Sequence, residues 1–224
     1  YRGRSDVLPT GRNLFTTDPR AVPTRAAYAQ GVQLAEELVR RHLQDEGDWP
    51  RALIVDLWGS ATMRTAGEEF AMALHLAGLS PRWQDDGARV TGFEIIPPAL
   101  LNRPRIDVTL RVSGLFRDVF PGLAQMFGQA VAALAERDEA DNPYRRAGPR
   151  VFGPRPGSYG LAMPTTDDFT PEARLAAGEA WLAASAHAIA ADGSIAADRA
   201  ALERQLSAAD GFVHPQDLPE TDLL

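Results

Sequence analysis

The chain contains no cysteine, and all 23 of its basic residues are arginine, so it contains no lysine either. Without cysteine there is no disulfide scaffold, no thiolate metal site and no cysteine nucleophile. Without lysine there is no phosphate loop of the Gly-Lys-Ser/Thr type and no Schiff-base chemistry. Arginine codons are GC-rich and lysine codons AT-rich, so genomic composition is the plain explanation of the imbalance. No apolar run reaches the roughly 18 residues of a membrane span, and no signal peptide is visible. The formal net charge of −7, from 23 basic and 30 acidic side chains, argues against a general nucleic-acid binder. What is present is 224 residues, 45% of them apolar, enough to bury a sizeable core in one domain or one and a half. The acidic balance and the missing cysteine fit a cytoplasmic protein with no nucleic-acid partner and no membrane span.

The chain starts at Tyr1 without Met and stops at Leu224 without a charged tail. Both ends read as cuts through a longer polypeptide. Residues 1–24 are rich in Pro, Arg and Thr and read as an extended arm. Thr24 offers an N-cap, after which Tyr28, Val32, Ala35, Val39 and Leu43 fall at helical spacing, with a stop near Gly47. Arg51-Ala52-Leu53-Ile54-Val55-Asp56-Leu57-Trp58 has the nearly continuous apolar pattern of a strand buried on both faces of a parallel sheet. A turn at Gly59-Ser60-Ala61-Thr62 leads into a helical stretch with Met63, Phe70, Leu74 and Ala77 on one face and Gly78 as its stop. Strand candidates follow at 81–84, 89–96 and 105–112. In the last, Ile106, Val108, Leu110 and Val112 alternate with Asp107, Thr109 and Arg111, the period of a half-buried strand. A helix is predicted over about 118–137, with Pro121 in its first turn.

Thr170 and Pro171 open an Ala-rich helix to about Ala191, a shorter helix covers about 195–208, and Phe212-Val213-His214 is a brief extended piece. The fold class is therefore α/β, a largely parallel sheet flanked by helices over about 51–137. It is preceded by the arm and a helix and followed by a mostly helical region. The division reads as an arm at 1–24, an α/β domain at 25–160, and a mostly helical segment at 161–224 belonging to an adjoining subdomain of a longer chain.

Two turns bear on chemistry. Trp58-Gly59-Ser60 follows a strand and opens a helix, where backbone N–H groups favour an anion and Arg64 adds positive charge. It reads equally as an ordinary connection. Ser113-Gly114-Leu115-Phe116-Arg117-Asp118 also follows a strand. If the two strands are parallel, both turns share one sheet edge. Arg117 then either forks onto a carboxylate or pairs with Asp118. Gly157-Ser158-Tyr159-Gly160 is a polar turn in the long stretch 138–171, open to a ligand or simply to solvent. His42, His75 and His187 read as packing or surface residues in helices. His214-Pro215-Gln216-Asp217 instead places an imidazole near a carboxylate, a donor set for a divalent metal. After the Gly59 turn, Glu68 and Glu69 could face its crevice or the solvent.

Longer strings point further. Leu8-Pro9-Thr10-Gly11-Arg12-Asn13, Trp58-Gly59-Ser60 with Met63-Arg64-Thr65-Ala66-Gly67-Glu68, and Arg103-Pro104-Arg105-Ile106-Asp107-Val108 come in order. Ser113-Gly114 with Phe116-Arg117-Asp118, Pro156-Gly157-Ser158-Tyr159-Gly160, and Val213-His214 with Gln216-Asp217 complete the series. Together they resemble the large-subunit family shared by cobaltochelatase and magnesium chelatase. Met63-Arg64-Thr65 and Arg89-Val90-Thr91-Gly92-Phe93-Glu94 look more like the cobalt branch. The resemblance implies an interior piece toward the C-terminal half of a much longer subunit. That subunit binds a tetrapyrrole and inserts Co²⁺, or, in the alternative of a magnesium or nickel chelatase relative, Mg²⁺ or Ni²⁺ into another tetrapyrrole. It further implies hydrogenobyrinic acid a,c-diamide as substrate in cobalamin biosynthesis, and ATP hydrolysis by partner AAA+ subunits rather than by this segment. A purely scaffolding segment is the other alternative. Within the family blocks, Arg12, Gly59, Arg64, Ser113, Arg117 and Ser158 are the expected tetrapyrrole-binding residues. Glu68, His214 and Asp217 are the expected metal- or proton-handling residues. The isolated segment is expected to be inactive.

Overall fold

The computed structural model describes residues 18–85, 87–146, 148–160 and 170–214. Thr24 Oγ1 accepts the Ala27 N–H and opens α1 (Arg25–Glu46), and Gly47 closes it at φ +78°. β1 (Ala52–Leu57) follows, buried at every position as its apolar run predicts. The helical stretch after it is broken where the sequence suggests continuity. α2 (Gly59–Thr65) and α3 (Glu68–Ala77) are separated by Ala66 and Gly67, both left-handed. The Thr65 hydroxyl caps the break, accepting from the N–H groups of Gly67 and Glu68 at 3.3 and 3.2 Å. β2 (Leu79–Trp83) and β3 (Val90–Ile95) form an antiparallel pair of their own. A short α4 (Pro98–Leu101) leads to β4 (Asp107–Val112).

β4 corrects the expectation of a half-buried strand, because all six of its residues are buried. Its polar side chains are tolerated inside because they are paired. Asp107 takes both arms of Arg150 at 2.6 and 3.0 Å, and Arg111 pairs with Asp56 at 3.0 Å. The helix expected over 118–137 is two. α5 (Gly114–Val119) is capped by Ser113, and α6 (Pro121–Ala135) restarts with proline at its first position.

β5 (Val151–Gly153) precedes α7 (Pro171–Ser185), whose N-cap is Thr170 as read from the sequence. α7 stops short of Ala191. His187 lies on β6 (His187–Ile189), and the expected helix at 195–208 is split into β7 (Ile195–Ala197) and α8 (Arg199–Ala208). A hairpin turn with Gly193 at φ +86° joins β6 to β7, and strand pairing overrides the helical preference of the alanines. β8 (Gly211–Val213) is the extended piece read before His214.

Among the described residues one sheet has the order β7-β6-β5-β4-β1-β8, with β8, β1, β4 and β5 paired in parallel, β6 antiparallel to β5, and β7 antiparallel to β6. The strands at 187–213 thus belong to the same sheet as β1 and β4. On one face Leu53, Val55, Leu57, Val108, Leu110 and Val112 join the main core with α1, α3 and α6. On the other, Phe152 packs with Leu202 of α8 and with Trp181 and Leu182 of α7. The architecture is α/β, a mostly parallel sheet between two helical layers.

Candidate functional site

Four parallel strands bring their carboxyl ends to one edge, and each is followed by a turn named in the sequence reading. Ser113 joins two of these turns. Its Oγ accepts the N–H of Gly59 after β1 and the N–H of Phe116 in α5, both at 3.1 Å. Glycine at 59 lets the α2 turn press against α5, since a Cβ there would lie 2.7 Å from Leu115 Cγ and the Phe116 nitrogen. The Gly59 N–H expected to attract an anion is therefore already bonded. Gly114 touches the third turn, where a Cβ would collide with the Ser158 carbonyl oxygen. Gly59, Ser113, Arg117 and Ser158, separate in sequence, are brought together at this edge.

Arg117 faces inward. Nε and Nη2 grip the Asp118 carboxylate at 2.6 and 3.0 Å, while Nη1 donates to the carbonyls of Pro154, Arg155 and Ser158. The buried guanidinium thereby fastens the turn after β5 onto α5. Asp118 also accepts from Tyr159 Oη at 2.7 Å. Arg117, then Tyr159, hold its carboxyl below the usual range, and the same bond pushes the Tyr159 phenol up. β4 and then β5 are added on one side of β1 and β8 on its other side, so the strand order reverses between β1 and β8, the topological switch point of this edge, where open α/β sheets bind ligands. A cleft of about 540 Å³ borders Asp118, lined by Val22, Val90, Phe120, Leu123 and Met126 among others, a size within the range of small-molecule sites. Around the edge Trp58, Leu115 and Tyr159 stand exposed.

Asp56 was not among the residues singled out by sequence. It is buried near the end of β1, with Arg111 Nη1 at 3.0 Å from Oδ1. Trp58 Nε1 and His214 Nδ1 lie 2.9 and 3.0 Å from Oδ2. Arg111 is fixed in turn by Ser185 Oγ at 3.1 Å and by the Trp181 ring. The signal for Asp56 was present, a lone carboxylate inside an apolar strand. Two of its partners, Arg111 on β4 and His214 just after β8, lie too far along the chain for spacing to reveal.

The remaining expected residues are more dispersed. Arg64 is exposed in the last turn of α2, Glu68 is half-buried in the first turn of α3, and both are engaged in interactions. Arg12 and Asp217 lie outside the described residues. Among the described residues no three His, Asp or Glu side chains converge as a metal cage, and no helix is long and apolar enough to cross a membrane.

Comparison with known proteins gives this edge its context. The chain is 44% identical over 247 residues to the aerobic cobaltochelatase subunit CobN of a Sinorhizobium species, matching all of this chain and 19% of that protein. Its match to a magnesium-chelatase subunit of Chlorobaculum parvum is 30% over 176 residues, 71% of this chain and 14% of that protein. The catalytic subunit of cobaltochelatase from Mycobacterium tuberculosis superposes with a TM-score of 0.79 at 33% identity, over 89% of this chain and 18% of that one. The chain thus spans about a fifth of the length of the cobaltochelatase relatives it matches. The family model described as CobN/Magnesium Chelatase matches residues 1–224, and the chain belongs to that family.

Proposed function

We propose that this chain is part of the tetrapyrrole-binding large subunit of an ATP-dependent cobaltochelatase, inserting Co²⁺ into hydrogenobyrinic acid a,c-diamide. The cobalt branch is favoured by identity across the whole chain to CobN proteins, against a partial match to the magnesium subunits. ATP would be hydrolysed by AAA+ partner subunits. The structural observation that carries the reading is the carboxyl edge itself. Exposed Trp58, Leu115 and Tyr159 rise around polar turns at this edge, a surface suited to a broad, flat, amphipathic ring.

In this reading Ser113 and Gly59 shape the floor, and Arg117 holds the turn containing Ser158 in place. Arg64, with Arg12, supplies guanidinium groups to peripheral carboxylates of the ring. Insertion strips water from the metal and two N–H protons from the macrocycle, the work assigned to Glu68, His214 and Asp217. The second reading, a scaffold without ligand contact, draws on the internal satisfaction of Ser113 and Arg117.

Absorbance titration of the intact protein with the corrinoid separates the two. Trp58→Ala and Arg64→Ala are each expected to weaken binding about tenfold, the equivalent of about 1.4 kcal/mol. Unchanged affinity in both variants would leave the scaffold reading standing.

A further inference from the structure

Near the switch point, on the face covered by α7, a buried carboxylate holds a half-exposed imidazole. Asp56 is ion-paired with Arg111 through Oδ1, and His214 Nδ1 lies 3.0 Å from Oδ2. A carboxylate so paired only accepts hydrogen bonds, so Nδ1 carries the hydrogen and the lone pair of the neutral ring sits on Nε2. The ring is held on a second side by Trp58, edge-on at 5.5 Å, and the indole is itself tied to Asp56 Oδ2. The His214 side chain is 47% exposed, and among the described residues Nε2 has no hydrogen-bond partner. The ring is thus fixed in tautomer and orientation, with its donor atom left open.

We propose that Asp56 and His214 form a carboxylate–histidine pair that offers Nε2 to a divalent transition metal, with Asp56 as the positioning residue. A metal-binding histidine commonly donates its second ring N–H to a carboxylate, which orients the ring and strengthens the donor. Imidazole nitrogen suits Co²⁺, Ni²⁺ or Zn²⁺ better than Mg²⁺. Among the described residues no cage of three acidic or histidine side chains accompanies it. An ion held this way exchanges readily, as a metal in transit must and a resident structural ion need not. The proposal rests on the chelatase reading only for the metal's status as substrate.

The test is calorimetric titration of the intact protein with Co²⁺ alone, without tetrapyrrole. One Co²⁺ site is expected to vanish in His214→Ala and to persist in the control His42→Ala. In Asp56→Asn its affinity is expected to fall roughly tenfold or more. Asp56→Asn also unpairs Arg111, so thermal unfolding is followed beside it, and His214→Ala, which alters an exposed ring, carries the decision. Unchanged Co²⁺ binding in His214→Ala overturns the proposal. Corrinoid binding is measured separately on wild type, and its absence there would count against the chelatase reading while leaving the metal result to judge the pair.

Discussion

Gly114 shows how closely the site is built at the scale of one residue. Its Cα faces the Ser158 carbonyl, Ser113 beside it accepts two N–H groups, and Gly59 lies against the same short helix. A methyl group at 114 must displace backbone rather than a flexible side chain. Gly114→Ala is therefore expected to cost about 1–3 kcal/mol, the usual range for overpacking, read from the midpoint of urea unfolding. An unshifted midpoint would mean that the turn after β5 yields without resistance. The buried arginines show the same economy of fit. Arg105 meets Glu139 with two nitrogens at 2.5 and 2.9 Å, and Arg150 meets Asp107 in the same forked way. Lysine could supply the charge at these places but not the planar fork.

At the scale of elements, the turn after β5 is held by one buried side chain and one surface bond. Asp118 is held below its usual carboxylate range by Arg117 and Tyr159, so its bonds contribute fully above the ordinary value near 3.8 and fade as pH falls through the lowered one. Acidification below 3.8, through that lowered value, should therefore loosen Tyr159 before the sheet unfolds, seen as faster amide exchange at 155–160 while β1 and β4 remain protected. Simultaneous loss of protection would show that the turn and the sheet open as one unit. Elements with local signals were legible in the sequence. α1 carries its cap and its stop, β1 its apolar run, and α7 its Thr-Pro opening. What escaped was set by distant partners. The alanines around His187 become β6 because β5 and β7 flank them, and Arg111 turns inward because Asp56 waits in the neighbouring strand. The edge uniting Gly59, Ser113, Arg117 and Ser158 was foreseeable from two strands being parallel, whereas the Asp56–His214 contact, 158 positions apart, was not.

At the scale of the molecule, the sheet's four parallel strands deliver their turns to one edge while helices cover both faces. The core is consequently threaded with guanidinium groups, Arg105, Arg111 and Arg150 being buried and paired across separate elements. This has a consequence for proteolysis. A chain without lysine offers trypsin only arginines, and these fall into two groups. Arg145 is exposed in the stretch between α6 and β5, whereas the bonds after Arg111 and Arg150 run through buried strands. Brief digestion in native buffer should release peptides ending at Arg145 but none ending at Arg111 or Arg150. The latter should appear only at denaturant concentrations that unfold the whole sheet. Early cleavage after Arg111 would instead reveal a sheet that opens strand by strand. The peptide map of a single protease thus becomes a gauge of cooperative unfolding, calibrated by the same arginines that hold the interior together.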